Sequence, residues 1–215
     1  MDYEPFANRV EAGKLLGHEV VRRIGKRADA IVLALPRGGV PVGYEVARAL
    51  GAPLDVFIVR KLGVPGQEEL AMGAIASGGV RVLNDEVLRF VSVSKATIES
   101  VAEREGRELE RREKAYRGDR PPIDVTGRTV VIVDDGLATG STMRAAVRAL
   151  QQMKPHAIVV AVPVAAPSTC AEFRASVDEM ICLRTPEPFQ AVGLWYEDFS
   201  QTTDDEVHEL LHGSK

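Results

Sequence analysis

Apolar and polar positions along this chain of 215 residues fall into two recurring patterns, one typical of buried strands and one of amphipathic helices. Short, mostly apolar runs predict strands at 30–35, 54–59, 80–83, 129–133, 157–162 and 179–183. Helical spacing of apolar residues predicts helices at 8–24, 40–50, 94–116, 142–153, 169–175 and 204–211. Because strands and helices alternate, the pattern predicts an α/β fold with a doubly wound, mostly parallel sheet.

Two segments interrupt this alternation. Residues 63–79 are rich in glycine and other small residues, so they predict a long mobile loop. Residues 184–215 predict a small C-terminal hood beside the sheet, with the N-terminal helix as a candidate addition. The predicted apolar stripe of that helix comprises Val10, Leu15, Leu16, Val20 and Val21. We expect one domain over 1–215, with a core at about 28–183 and a hood at about 184–215.

The strongest candidate for a ligand site lies between the strand at 129–133 and the helix that follows it. Asp134 and Asp135 stand directly after the apolar run, at the carboxyl end of a strand, where open α/β sheets bind ligands. The loop that leads into the helix comprises Gly136, Leu137, Ala138, Thr139, Gly140, Ser141 and Thr142. Backbone N–H groups in such a loop suit a phosphate, and the two acids suit hydroxyl groups or a metal ion.

Three other interpretations of this stretch are an ordinary turn capped by an aspartate, a Walker loop and a phosphoacceptor site. An ordinary turn does not require Thr-Gly-Ser-Thr after the acids. A Walker loop has a lysine after its last glycine, whereas Ser141 follows Gly140 here. A phosphoacceptor aspartate does not require an anion-binding loop beside it, so we favour the phosphate and hydroxyl ligand.

The second candidate is Arg37-Gly38-Gly39, between the first predicted strand and its helix. Two adjacent glycines predict unusual backbone angles with N–H groups turned toward a ligand. The planar guanidinium of Arg37 suits phosphate oxygens. A plain turn with a surface arginine is the alternative, whereas a dinucleotide-binding loop is disfavoured because G-x-G-x-x-G is absent.

Charged and aromatic residues mark two further candidate regions. Arg60 and Lys61 follow the second predicted strand, where they face an anionic ligand or are solvated charges at a strand end. The C-terminal segment gathers aromatic residues, among them Phe189, Trp195 and Tyr196. These rings either stack on a flat ligand or pack among themselves.

Composition narrows the class of protein. Hydrophobic residues make up 45% and charged residues 27%, as in soluble globular proteins, and the formal net charge is −4. An acidic chain is a poor candidate for general nucleic-acid binding, and no apolar run is long enough to span a membrane. Cys170 and Cys182 lack metal-ligand spacing, and the first residues lack the pattern of a signal peptide. We therefore expect a cytoplasmic protein.

The stretch from Val130 to Thr142 resembles the phosphoribosyl-pyrophosphate (PRPP) motif of the type I phosphoribosyltransferases, in which apolar residues precede two acids and a loop ending in Thr-Gly-x-Thr. Nearly the full length of the chain resembles bacterial members of that family whose substrate is unassigned. The resemblance implies that the acid pair holds the ribose hydroxyls and that residues 136–142 hold the 5-phosphate. Ala138 stands where the 6-oxopurine enzymes carry an aspartate, so the acceptor base is left open.

The resemblance also implies roles outside this motif. The pyrophosphate loop is Arg37-Gly38-Gly39, with Arg60 and Lys61 as further pyrophosphate contacts and a cis peptide bond near Arg37. A flexible loop closes over the site at 63–79. The implied base contacts are Phe189, Trp195 and Tyr196. The implied metal ligands for Mg²⁺ are Asp134, Asp135 and Asp198.

The implied activity is Mg²⁺-dependent transfer of ribose 5-phosphate from PRPP to a nitrogen of a small aromatic base, with release of pyrophosphate. The implied catalytic residues are Asp134, Asp135, Arg37 and Lys61, and the implied assembly is a homodimer. Two alternatives use the same scaffold. One is a regulatory module that binds PRPP without turnover, and the other is a ribosyl-phosphate hydrolase or phosphorylase.

Overall fold

The computed structural model describes residues 4–213, which form an α/β fold with two sheets. The strands are β1 (Ala30–Ala34), β2 (Leu54–Val56), β3 (Val59–Val64), β4 (Gln67–Ala76), β5 (Val80–Leu83), β6 (Thr129–Val133), β7 (Ala157–Val164) and β8 (Glu179–Arg184). The helices are α1 (Arg9–Ile24), α2 (Gly39–Leu50), α3 (Asp85–Phe90), α4 (Lys95–Arg117), α5 (Ser141–Gln152), α6 (Pro167–Arg174) and α7 (Asp204–Gly213). Each predicted helix and strand has a counterpart, although the strand predicted at 54–59 is divided between β2 and the first residue of β3, and β3, β4 and α3 are additions.

The main sheet has five parallel strands in the order β2-β1-β6-β7-β8. Every residue of β1 and β6 is buried, because helices cover both faces of the sheet. Val131 and Val133 pack in the core that includes buried residues of α1, α2, α4 and α7, whereas Val130 and Ile132 pack in the core that includes those of α5 and α6. The predicted doubly wound parallel sheet is therefore confirmed.

Helix α1 packs closely against α2 through small residues. A Cβ atom at Gly13 would lie 3.0 Å from the Glu45 Cβ, and one at Gly17 would lie 2.8 Å from the Ala49 Cβ. The predicted apolar stripe is wrong in part, because Val10 and Leu15 are exposed. Because the backbones of α1 and α2 approach closely, Gly13 and Gly17 are buried between the helices and the larger Val10 and Leu15 lie at the surface.

The predicted mobile loop at 63–79 is wrong, because most of it forms strands. β3 and β4 are an antiparallel hairpin, and β5 completes a second, three-stranded sheet. The hairpin turns at Pro65-Gly66, where Gly66 has a φ of 81°. This is a common turn sequence, in which proline sets the first angle and glycine accepts the positive φ, and it was the signal in the sequence for a hairpin.

The C-terminal segment packs beside the carboxyl ends of the main strands, and we call residues 184–213 the hood. Residues 6 and 7 join it, because the Phe6 N–H donates to the Trp195 oxygen at 2.9 Å and the Asp198 N–H donates to the Ala7 oxygen at 3.0 Å. Phe6 and Tyr196 form its buried centre, with ring centroids 5.5 Å apart. Within residues 4–213, no helix has both the length and the apolar character needed to cross a membrane.

Candidate functional site

The acid pair lies at the carboxyl end of β6, which is the central strand of the main sheet. The Asp134 Oδ1 accepts the N–H of Asp135 at 2.9 Å, so the first carboxylate is turned back onto the chain. Burial, and after it the charge of Asp135, raises the pKa of Asp134 well above its usual range. Burial also raises the pKa of Asp135, and the Arg9 guanidinium opposes part of that rise. Such a pair favours ligands that bring hydroxyl donors or positive charge.

The Arg37-Gly38-Gly39 loop packs directly on the acid pair. A Cβ atom at Gly38 would overlap the Asp135 Oδ2, and one at Gly39 would lie 2.8 Å from the Val133 oxygen. The prediction of unusual backbone angles is wrong for Gly38, whose φ of −59° and ψ of −32° are helical. The glycine is required by close approach to the acids and not by its own conformation.

The 136–142 loop has one face bound to the protein and one open. The Leu137 N–H donates to the Val164 oxygen at 2.9 Å, and Ala138 is held through its oxygen by the Thr169 hydroxyl at 2.6 Å. Gly140, with a φ of 68°, caps α5 without a side-chain hydrogen bond. Within the described part of the chain, the N–H groups of Ala138, Thr139 and Gly140 have no acceptor. These free donors, with Ser141 and Thr142 opening α5, form a cradle suited to a phosphate.

Arg37 follows a cis peptide bond, as predicted, since the Pro36–Arg37 bond is cis. Its side chain is directed toward the start of α7, where its Nη1 lies 3.4 Å from the Asp204 Oδ1. That carboxylate also accepts the hydroxyl of Tyr116 at 3.0 Å. Arg37 is thus half-buried, next to the glycines that contact the acid pair, and its partner is an acidic residue at the start of α7.

Arg60 and Lys61 are neighbours in β3 and therefore point to opposite faces of the small sheet. Both Nε and Nη2 of Arg60 bind the Glu105 Oε2 of α4, at 2.9 and 2.6 Å, so this arginine joins the sheet to a helix. Lys61 lines a groove of about 990 Å³ that extends to Ser141. Lys61 and Ser141 thus line one groove, whereas Arg60 lies on the other face of the small sheet.

The predicted base contacts lie together in the hood but differ in access. The ring of Tyr196 is buried, and its hydroxyl donates to the main-chain oxygen of Asp135 at 2.6 Å. Phe189 and Trp195 are partly buried and stack on each other with ring centroids 6.5 Å apart. The indole Nε1 of Trp195 is buried without a hydrogen-bond partner among residues 4–213.

Asp198 is separate from the acid pair. It is exposed and its Oδ1 accepts the N–H of Ser200 at 2.9 Å, a hydrogen bond that lowers its pKa. In the described ranges, no group of three or more His, Cys, Asp or Glu side chains is arranged to hold a metal ion. Asp134, Asp135 and Asp198 therefore do not form a three-carboxylate cluster.

Arg9 belongs to the site and was not anticipated. Its Nε and Nη2 both lie 2.9 Å from the Asp135 Oδ2, and its Nη1 donates to the Ser200 oxygen at 2.7 Å. The residue begins α1, directly after the cap Asn8, and lies 126 positions from Asp135 in the sequence. No local pattern marks such a contact.

Comparisons with known proteins identify the family of the chain. The phosphoribosyl transferase domain family matches residues 12–197 of the chain. A Mycobacterium tuberculosis protein that carries the name phosphoribosyl transferase is 48% identical over 206 residues, which is 96% of this chain and 46% of the relative. The chain thus spans about half the length of that relative. The bifunctional protein PyrR of Chloroflexus aurantiacus is 34% identical over 145 residues, covering 63% of this chain and 68% of PyrR.

A solved structure is also similar over nearly the whole chain. The crystal structure of TT1426 from Thermus thermophilus is 44% identical, with a TM-score of 0.85, covering 96% of this chain and 97% of TT1426. The family match covers most of the chain and includes the acid pair, the 136–142 loop and the Arg37-Gly38-Gly39 loop. The chain belongs to the phosphoribosyl transferase domain family.

Proposed function

We propose that the chain transfers ribose 5-phosphate from PRPP to a nitrogen of a small aromatic base and releases pyrophosphate. One observation carries the proposal: an acid pair, a loop of free N–H donors and a glycine loop meet at the carboxyl end of β6. These three parts match the three parts of PRPP, which are ribose hydroxyls, a 5-phosphate and a pyrophosphate. The family membership supports the same chemistry.

Each part of the site has a distinct task in this reaction. Asp134 and Asp135 accept hydrogen bonds from the ribose hydroxyls, and residues 136–142 hold the 5-phosphate. Gly38, which has no side chain, lets the Arg37-Gly38-Gly39 loop lie against the acid pair, and Arg37 and Lys61 offset the charge of the departing pyrophosphate. As the C1–O bond breaks, positive charge develops at C1, so the site acts by positioning and electrostatics.

The donor set fits Mg²⁺, which the family implies. Mg²⁺ is ordinarily held by one or two carboxylates, with substrate phosphates and waters completing its ligands. Asp134 and Asp135 are two adjacent carboxylates, and a cation beside them would offset their mutual repulsion, releasing any proton that their raised pKa values retain. When bound there, Mg²⁺ would neutralise charge on the pyrophosphate group.

The hood supplies the candidate contacts for the acceptor base. Of the three predicted ring contacts, Phe189 and Trp195 are partly open, whereas Tyr196 is covered by the hood. We propose that the first two border the base. A homodimer stays a prediction.

The test is pyrophosphate release from PRPP with Mg²⁺, across a panel of purines, pyrimidines and other small heteroaromatic bases. We expect release to require one class of base, and Asp135→Asn to reduce the rate at least tenfold, about 1.4 kcal/mol of transition-state stabilisation. Asp119→Asn, at an exposed position outside the site, is the matched control.

Other outcomes separate the alternatives. Tight PRPP binding with no release for any base would indicate a regulatory module. Release that requires only water or phosphate would indicate a hydrolase or phosphorylase. Failure to bind PRPP at all would overturn the proposal.

A further inference from the structure

Arg9 is the one side chain that binds both the acid pair and the hood in the part of the molecule described. Its guanidinium holds the Asp135 Oδ2 through two nitrogens, each at 2.9 Å, and holds the Ser200 main-chain oxygen through the third at 2.7 Å. The guanidinium carbon also lies 3.9 Å from the centroid of the Phe199 ring. Every nitrogen of the group therefore has an acceptor, and only 11% of the side chain is exposed.

The segment before Arg9 is fixed to the hood. The Glu197 N–H donates to the Phe6 oxygen at 2.8 Å, and the Asp198 N–H donates to the Ala7 oxygen at 3.0 Å. The Asn8 side chain then caps α1 by accepting the N–H of Glu11 at 3.0 Å. These contacts place Arg9 at a defined point, so its reach to Asp135 does not depend on a flexible end.

Arg9 binds only one of the two oxygens of the Asp135 carboxylate. The Asp135 Oδ2 is enclosed between the guanidinium and Gly38. The other oxygen, Oδ1, has no hydrogen-bond partner among residues 4–213 and is not sealed from solvent. Holding Oδ2 in this way leaves Oδ1 presented to a ligand in one orientation.

The hood reaches the same residue by a second path. The Tyr196 hydroxyl donates to the main-chain oxygen of Asp135 at 2.6 Å, and the Tyr196 and Phe199 rings lie 5.1 Å apart. The position of Asp135 is therefore tied to the hood through both its backbone and its side chain. A ligand that moves the carboxylate must also move residues 196–200 or break the contact with Arg9.

We infer that Arg9 is a positioning residue for the ribose subsite, acting through Asp135, and that it couples occupation of that subsite to the hood. The inference rests on the proposed function, because it takes the ribose hydroxyls as ligands of the acid pair. The Arg9 guanidinium fixes the Asp135 carboxylate that receives the sugar. Its contact with Ser200 transmits binding of the sugar to the segment that carries Trp195.

The test uses ribose 5-phosphate, which needs no Mg²⁺, and two readouts other than turnover. Calorimetry gives its Kd, and the fluorescence of Trp195, the single tryptophan of the chain, reports on the hood. We expect Arg9→Ala to weaken ribose 5-phosphate binding at least about tenfold, since the Asp135 carboxylate loses the charged hydrogen bonds that fix its orientation. We also expect ribose 5-phosphate to change the Trp195 fluorescence of the unaltered protein, and Arg9→Ala to abolish that change.

Arg9→Lys separates the two parts of the inference. A lysine ammonium is a point charge, which restores the attraction to Asp135 but does not hold Ser200 in the same planar fork. We expect this variant to regain most of the affinity and little of the fluorescence change. Arg22→Ala is the matched control, because Arg22 is an exposed arginine of the same helix.

The outcomes are distinguishable. An Arg9→Ala protein with unaltered affinity and fluorescence change overturns the inference and leaves the proposed function intact. If Arg9→Ala does not fold, an Arg9→Lys protein that matches the unaltered one in both readouts overturns it instead. If the unaltered protein binds neither ribose 5-phosphate nor PRPP, the proposed function fails, and the inference fails with it.

Discussion

Gly38 and Asp135 are in direct contact, and the carboxylate occupies the place where a side chain at residue 38 would begin. The contact joins two loops that follow neighbouring strands, since β1 and β6 pair along their whole length. Parallel strands bring their carboxyl ends to one edge of the sheet, and the missing side chain lets the loops touch there. The geometry of the acids therefore depends on a residue with no functional group.

Gly38→Ala tests this dependence. The added methyl group must displace the Asp135 carboxylate, so we expect weaker binding of ribose 5-phosphate, by at least about tenfold for the loss of a charged hydrogen bond. The measurement is calorimetric titration with ribose 5-phosphate. The backbone at residue 38 is helical, so alanine itself is conformationally acceptable there.

Gly106→Ala is the control for that variant. A Cβ at Gly106 would meet only the Ile75 Cδ1, at an ordinary contact distance of 3.5 Å. Within helix α4 the change should leave ligand binding intact and raise stability by up to about 1 kcal/mol. Equal affinities for the two variants would show that the acid pair tolerates movement.

Arg37 and the pyrophosphate subsite give a second prediction. Arg37→Ala should weaken pyrophosphate binding at least about tenfold, because hydrogen bonds to charged groups contribute about 1.5–3 kcal/mol. Ribose 5-phosphate affinity should change much less, since it occupies the other end of the site. Both affinities are measured by calorimetry.

Two companion variants sharpen this prediction. Arg111→Ala, an exposed arginine of α4, should leave both affinities unchanged. Asp204→Asn removes the charge that Arg37 faces in this structure, so it should strengthen pyrophosphate binding. Equal weakening of both ligands by Arg37→Ala would contradict the assignment of the pyrophosphate loop.

The sequence predicted what depends on local pattern. The strand that ends in Asp134-Asp135, the loop after it and the helices of the main sheet follow from apolar periodicity and turn chemistry. The hairpin of β3 and β4 differs from the prediction, because the glycines of 63–79 predict mobility when only local composition is considered. In the structure a Cβ at Gly73 would lie 2.5 Å from the Val82 oxygen. The glycine therefore allows β4 and β5 to pair closely.

What remained hidden depends on contacts between distant parts of the chain. Arg9 begins an amphipathic helix, and the sequence shows only an ordinary polar residue there. Arg60, which the sequence offers as an anion contact, binds Glu105 instead, 45 positions away. Tertiary packing decides which charged residues face the site and which join elements of the fold.

The raised pKa of Asp134 predicts how the stability of the ligand-free protein depends on pH. Its pKa is higher in the folded protein than its ordinary value of 3.8, so the folded state holds that proton to higher pH than the unfolded chain does. The contribution of this retained proton to the free energy of unfolding is therefore complete at low pH and is lost as the pH rises above about 4. Asp134→Asn stays neutral, and its amide oxygen can still accept the N–H of Asp135.

The measurement is Tm from pH 4 to pH 8 for both proteins. We expect the Asn variant to melt higher at pH 8 by at least about 2–4 °C, the shift that 1 kcal/mol produces in a domain of this size. The difference in Tm between the Asp134→Asn variant and the unaltered protein should narrow toward pH 4. Asp119→Asn should show no such pH-dependent difference, and a constant gap for Asp134→Asn would contradict the argument.

The bond between Arg9 and Ser200 closes a loop of nearly the whole chain, because its ends are 191 positions apart. During synthesis, the acid pair of β6 is made long before the hood that encloses it. Until the hood is made, an unfinished chain leaves these two carboxylates, which are partly buried in the finished fold, open to solvent, and the main-chain oxygen of Asp135 lacks its Tyr196 partner. The site is thus completed late in synthesis and folding. A cleavage or deletion near Arg9 or near Ser200 would disturb the acid pair.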